Sequence, residues 1–288
     1  MIKTRGFSVA ELDRFRALQR LSFTVLTDEA RRLEPGMSER CVARRLVLAY
    51  RRAGFQGFFH LPVVLFGERT ALPGEWTVGH FFPKKRLAAA GDAIIFDASP
   101  IRDGFMVDTS FSFCLGEDAV HRRMMRHLAE FRASVPAAVN AGARFKAITE
   151  SVNARIATWG YEAVHPKHPG NVLGHRALKL PRLPFTWRNR GFDALSLNWF
   201  YATEFAARLR LGARSPLWNA SSTSDHEPHD GLWLVEPHAG KGAIGAKWEE
   251  ILVIQDGGAR WLDEDVPHVR QWSLMAQGRD YGPTALAA

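Results

Sequence analysis

Cysteine is nearly missing from this chain: Cys41 and Cys114 are the only two in 288 residues. One falls in an expected helix and the other in an expected strand, so neither a disulfide framework nor a thiolate zinc site fits. Long apolar runs are absent as well. None approaches the roughly 18 residues needed to span a bilayer, and the first residues carry no apolar signal core. We therefore expect a reducing, cytoplasmic setting and no membrane partner. Charge of one sign is not gathered anywhere, although the formal net charge is +8. Runs such as Arg122-Arg123 and Lys84-Lys85-Arg86 are short and read as a solvated basic face, which argues against a nucleic-acid partner.

What is present is an ordinary globular composition, 46% hydrophobic, in a chain without an evident linker, so one domain over 1–288 is expected. Apolar residues recur at helical spacing over 8–33, with Ser8 as N-cap, and again from Ser38 to about Arg52. A strand follows over 57–66, with Pro62 marking an irregularity. The pattern then recurs: helices over 117–140 and 144–159, a short strand over 161–164, a strand over 231–236, and a hairpin of 249–255 with 259–263 about Asp256-Gly257-Gly258. Two halves of the form helix, helix, strand, hairpin imply an α/β (α+β type) fold with internal pseudo-symmetry. Between them lies an aromatic-rich insert at about 182–233, containing Trp187, Trp199, Phe200, Tyr201, Trp218 and Trp233, with a helix near 198–211. It reads as a cover over the sheet or as a lid on a substrate pocket. The tail after Arg270 is expected to be loosely held.

The chemistry starts in Gly91–Leu115, GDAIIFDASPIRDGFMVDTSFSFCL. Two β-type runs flank Pro100–Gly104, and a turn centred on Arg102-Asp103 sets Asp97 directly opposite Asp108. Opposed carboxylates in an apolar hairpin need a shared proton or a cation. Glu236 and Glu249 form a second pair at an odd separation, which permits direct opposition in an antiparallel hairpin. His175, on the loop Leu173-Gly174-His175, adds a neutral nitrogen. Four carboxylates and an imidazole make a hard donor set suited to Mn²⁺, Co²⁺, Fe²⁺ or Zn²⁺, and four negative charges are balanced by two divalent ions.

In this order the motifs resemble the pita-bread metallopeptidase family, which includes methionine aminopeptidases, aminopeptidase P, prolidase and the creatinase group. The Asp97–Asp108 segment, Gly174-His175, Val235-Glu236-Pro237 and Lys247-Trp248-Glu249-Glu250 match the family's ligand segments, and Leu33–Glu39 is similar to its interhelical turn. The likeness covers roughly residues 10–265. It implies a curved, mainly antiparallel sheet with helices on its outer face. It also implies Asp97, Asp108, His175, Glu236 and Glu249 as metal ligands, Glu249 as a bridging carboxylate, and Ser110 as a supporting hydroxyl. In the implied arrangement Asp97 chelates one ion, Asp108 and Glu249 bridge both, and His175 and Glu236 complete the other site. By the same resemblance Glu236 serves as proton shuttle, and His80, 17 residues before Asp97, contacts the substrate. Two departures stand out. Arg176 follows the ligand histidine where the family has glycine, and the family's second histidine has no counterpart after it, leaving His226, His229 or His238 as spatial replacements. Arg176, His229 and Trp233 join His80 as expected substrate contacts.

The expected function is a dinuclear metal-dependent hydrolase of an amide or peptide C–N bond, aminopeptidase- or dipeptidase-like, acting on a small molecule or short peptide. A homodimer is compatible with the sequence. Two alternatives are a non-peptidase of the same fold acting on a small amine or amide, and a catalytically silent binding module.

Overall fold

A computed structural model of the chain describes residues 1–181, 188–189 and 192–287. The helices begin where polar residues satisfy their free amides. Ser8 Oγ accepts from Glu11 N while Glu11 Oε2 accepts from Ser8 N, a reciprocal capping box at the head of Val9–Arg31. Ser38 caps Glu39–Arg52, and Asp118 caps Ala119–Asn140. Phe145–Thr158 completes the second pair.

Each helix pair lies against its own hairpin. Phe15, Phe23 and Leu26 of the first helix and Leu46 and Tyr50 of the second pack with Phe96, Phe111 and Phe113 of the strands Ala93–Ala98 and Thr109–Cys114. In the other half Met124, Leu128, Phe131, Phe145 and Ile148 pack with Trp233, Trp248, Leu252 and Ile254. Those residues come from Gly231–Val235, from Trp248 between two strands, and from Glu250–Gln255. Burying side chains of this size stabilises by about 1.5–3 kcal/mol each, so aliphatic and aromatic contacts together anchor both pairs. The architecture is thus the expected α/β plan of mainly antiparallel sheet with helices on one side. Among the described residues only Phe58 beside Phe192 pairs in parallel.

Several local expectations are corrected. The strand over 57–66 is split into Gly57–Phe58 and Val63–Phe66, because Pro62 has no N–H to donate to a ladder. The glycine-rich connection after Glu236 is itself a hairpin, His238–Lys241 with Ile244–Lys247. The insert's helix runs Ala194–Arg208 and is capped by Asp193; Trp187 lies outside the described residues. The tail is not loose. Helix Pro267–Ala276 buries Gln271 and Met275, and Gln271 Nε2 donates to the Ser112 and Tyr281 carbonyls at 3.0 and 3.1 Å. Tyr281 is itself buried, with its hydroxyl 3.1 Å from His121 Nδ1.

Candidate metal centre

The first hairpin turns at Asp103-Gly104, both at positive φ (53° and 83°), as a type I′ turn requires. Asp-Gly supplies those angles cheaply and Arg102-Asp103 does not, so the turn centre lies one residue later than expected. Asp97 therefore pairs with Ser110 rather than with Asp108. A shift of two in the partner keeps every side chain on its face, and Asp108 remains a diagonal neighbour of Asp97. The second hairpin has the expected register. Val235 pairs with Glu250 and His238 with Lys247, and the same count between them sets Glu236 against Glu249. His175 comes from the strand Val172–Arg176, opposite Leu234. That strand approaches so closely that a Cβ on Gly174 would lie 2.4 Å from the Leu234 carbonyl oxygen, which explains the glycine.

Two contacts bring the hairpins together. Ser110 forms a backbone bridge with Glu249, and Ser112 Oγ donates to Lys247 O at 2.5 Å while accepting from Lys247 N at 2.9 Å. Five side chains, none more than 8% exposed, then converge. Their ligand atoms fall into three overlapping groups, each within 4.8 Å: His60, Asp97 and Asp108; Asp108, His175 and Glu249; and Asp97, Glu236 and Glu249. Glu249 is thus common to two groups, and Glu236 falls with Asp97 rather than with His175, unlike the arrangement implied by resemblance.

Three residues outside the expected set complete the cage. Lys247 Nζ lies 2.5 Å from Asp97 Oδ2, 2.7 Å from Glu236 Oε2 and 3.2 Å from Glu249 Oε2, so one positive charge is built into the site. Its position two residues before Glu249 was a legible signal, since alternate strand residues share a face. His60 Nε2 is 3.1 Å from Asp108 Oδ2 and 3.7 Å from Asp97 Oδ1. His168 Nδ1 is 2.8 Å from Glu236 Oε2, its Nε2 is 2.9 Å from His238 Nδ1, and His238 Nε2 is 2.7 Å from the Thr70 carbonyl oxygen. No local pattern marked His60 or His168.

Burial raises the pKa of any carboxylate here, and the partners decide where it ends. At Asp108 burial is overcome by His60 and His175, which hold it below the ordinary range. At Glu236 Lys247 and His168 do the same. Burial wins at Asp97 and Glu249, both raised. His60 loses basicity to burial but regains more from Asp108 and Asp97, and sits at about 9. Asp97 Oδ1 and both Glu249 oxygens have no hydrogen-bond partner; the Lys247 ammonium near Glu249 is close but not aligned. Buried, unpartnered carboxylate oxygens beside an imidazole nitrogen are a donor set that fits hard divalent cations.

The other expected site residues lie elsewhere. His80 is exposed on the one-turn helix Val78–Phe81, where its Nδ1 accepts from Thr77 N. Arg176 follows His175 in the strand and so points to the opposite face, over Trp233 with its guanidinium carbon 4.1 Å from the ring centroid. Its Nη1 donates to the Asp230 and Thr4 carbonyls. Trp233 is directly opposed to Arg176 and fully buried. His229 and His226 lie tilted against Phe145, with ring centroids 5.8 and 5.4 Å away, and His229 meets Trp233 edge-on. None of these four lines the site. Of the three expected replacements for a second histidine, only His238 comes near, and it does so behind His168.

The cage is the floor of a cleft of about 1050 Å³. One wall is helix Ala194–Arg208, whose Leu197, Phe200, Tyr201 and Phe205 face inward; Val78, Phe81 and Phe82 form another. Phe200 lies against Phe59 and His175, with ring centroids 4.7 and 5.6 Å away. Part of the aromatic insert is therefore a wall of the cleft, while Trp218 and Trp233 belong to the core of the second half.

The model of metallopeptidase family M24 matches residues 13–256. No curated protein matches the chain. Among solved structures it is similar to X-Pro aminopeptidase from Thermotoga maritima MSB8, with 18% identity, a TM-score of 0.65, and coverage of 89% of this chain and 61% of that one. For prolidase from Pyrococcus furiosus the values are 15%, 0.63, 90% and 65%. For methionine aminopeptidase from Thermotoga maritima they are 13%, 0.62, 91% and 100%. The chain thus spans about three-fifths of the length of the X-Pro aminopeptidase, and at these identities the likeness is one of fold. No helix among the described residues is long and apolar enough to cross a membrane.

Proposed function

The chain belongs to metallopeptidase family M24, and from that premise we propose that it is a dinuclear metal-dependent hydrolase of an amide or peptide C–N bond. The observation that carries the reading is the buried cage of four carboxylates and an imidazole in which three carboxylate oxygens lack any partner. Asp97, Asp108, His175, Glu236 and Glu249 would hold the ions. Two divalent ions, when bound, supply a water acidic enough to attack a carbonyl near neutral pH and Lewis acidity for the developing oxyanion.

The chain's own residues supply orientation and proton transfer. The Thr70 carbonyl can only accept, so His238 carries its proton on Nε2 and presents Nδ1 as an acceptor. His168 then donates through Nε2 to His238. The remaining contact, His168 Nδ1 to Glu236 Oε2, must hold one proton, on either the imidazole or the carboxyl. Glu236 is therefore placed to relay that one proton from His168 to a leaving nitrogen. His60 positions Asp108 and borders the cleft, which is the location expected of His80. Lys247 steadies Asp97 and Glu236. Arg176 faces away from the cage and His168 offers an imidazole at Glu236, so neither departure from the family pattern stands against the hydrolase reading.

The test is elemental analysis of protein loaded with Mn²⁺, combined with hydrolysis assays on X-Pro dipeptides and small amides. About two metals per chain and hydrolysis abolished by chelator and restored by Mn²⁺ are expected. No uptake under any loading condition would place the silent binding module first.

A further inference from the structure

We propose that the substrate of this site is an amide carrying a bulky apolar body on one side of the scissile bond and a distal carboxylate on the other. The body lies along the helix Ala194–Arg208, and the carboxylate lies between Arg40 and Arg44. This substrate class rests on the hydrolase reading above. A cleft of about 1050 Å³ stands at the top of the roughly 300–1,000 Å³ that encloses drug-sized ligands, and one dipeptide would leave most of it to water.

The cleft's lining selects for the body. Leu197, Tyr201 and Phe205 succeed one another at i, i+4, i+8 on one face of the helix, which the Asp193 cap starts in that phase. With Phe200 they form an apolar strip from the His175 ring outward. Tyr201 and Phe205 remain 71% and 63% exposed, and large apolar side chains left open in a concave surface mark a site for an apolar ligand. Phe205 stands two turns along the helix from Leu197, so a long substrate exploits it.

The rim selects for the charge. Arg40 and Arg44 lie one turn apart on Glu39–Arg52, both line the cleft, and both are exposed. Other arginines nearby are neutralised: Arg45 by Glu29, Arg69 by Glu39, and Arg208 on the facing wall by Glu204. Among the described residues Arg40 and Arg44 have no carboxylate partner; Arg40 Nε makes only a 3.3 Å contact to the Pro83 carbonyl. Two adjacent guanidinium groups without acids, beside an apolar wall, fit one carboxylate through paired N–H donors.

The experiment uses full-length purified protein and non-cleavable ketomethylene isosteres, titrated calorimetrically. The probes are the isostere of N-(4-phenylbutanoyl)phenylalanine, its C-terminal carboxamide, and the isostere of N-acetylglycine. The long acid should bind about tenfold more tightly than its carboxamide and about a hundredfold more tightly than the short acid. The variant R40Q/R44Q, with both changes exposed, should bring the long acid to within about twofold of the carboxamide, whereas Y201A/F205A should weaken both long probes alike. Equal binding of acid and carboxamide to the parent protein, a gap that persists in R40Q/R44Q, or a short acid that binds as well as the long one overturns the proposal. Hydrolysis of the parent amide is followed separately. If the isosteres bind as expected and Mn²⁺-loaded protein cleaves no amide, the hydrolase reading fails and the ligand class stands. If cleavage is confined to dipeptides without this preference, the ligand class fails and the hydrolase reading stands.

Discussion

Asp108 and Glu236 are both buried carboxylates held well below their ordinary pKa, yet different partners hold them there. Burial works against each charge. Around Asp108 the compensation comes from two imidazoles, His60 and His175; around Glu236 it comes from the Lys247 ammonium and from His168. Lys247 also reaches Asp97, 150 residues away in sequence, so the Asp97–Glu236 side carries its own permanent cation. The Asp108 side relies on groups that a metal ion can displace by deprotonating or turning them. The contrast teaches that acids buried together are made tolerable in two ways, by imidazoles on one side and by a lysine ammonium of the chain on the other.

The sharpest way to break this comparison is on the Asp108 side. Asp108→Asn keeps the shape and removes one charge, and hydrolysis should fall by about 10³-fold or more while far-UV circular dichroism stays unchanged. Full activity in the folded variant would show that the Asp108 side is not where cations act.

Lys247→Met tests the other side. Removing one partner of a buried ion cluster destabilises by about 3–5 kcal/mol, and the loss should appear in urea unfolding with chelator present. With saturating Mn²⁺ a divalent cation takes over part of that compensation, so the loss should shrink. An equal loss with and without Mn²⁺ would mean that Lys247 and the ion do not share carboxylates.

The smallest effect separates the cage from its surroundings. His121, away from both halves of the cage, is pushed down to about 4 by burial. As pH falls from about 6.5 toward 4, the unfolded chain takes up a proton there that the native state refuses, so stability is present above that window and lost on acidification. Between pH 7 and 5.5 the loss from this residue is about 1 kcal/mol. His121→Gln should lessen the acid slope by that amount in urea titrations. An unchanged slope would assign the acid sensitivity to the cage itself.

Legibility differed between the hairpins for a physical reason. The odd separation of Glu236 and Glu249 permitted direct opposition, while the hairpin His238–Lys241 with Ile244–Lys247 that sets the register was read as a connection. Asp97 and Asp108 depend on which two residues form the turn, and the Asp103-Gly104 signal was present in the letters although the turn was expected one position earlier. Because register errors of two preserve faces, both acids still belonged to the site. Arg176 shows the opposite case for sequence neighbours: adjacency to His175 guaranteed that it would point away, and alternation alone would have said so.

By itself the sequence determined the helix pairs, the first with its Ser8 cap, the two acid-bearing stretches and the five candidate ligand residues, because these rest on local periodicity, turn chemistry and side-chain hardness. Only the tertiary structure decided that His60 meets Asp108, that Lys247 lies among three carboxylates, and that His168 backs Glu236. Those contacts join residues 48, 150 and 68 positions apart. Their geometry depends on how the two hairpins seat against each other, which no local pattern encodes.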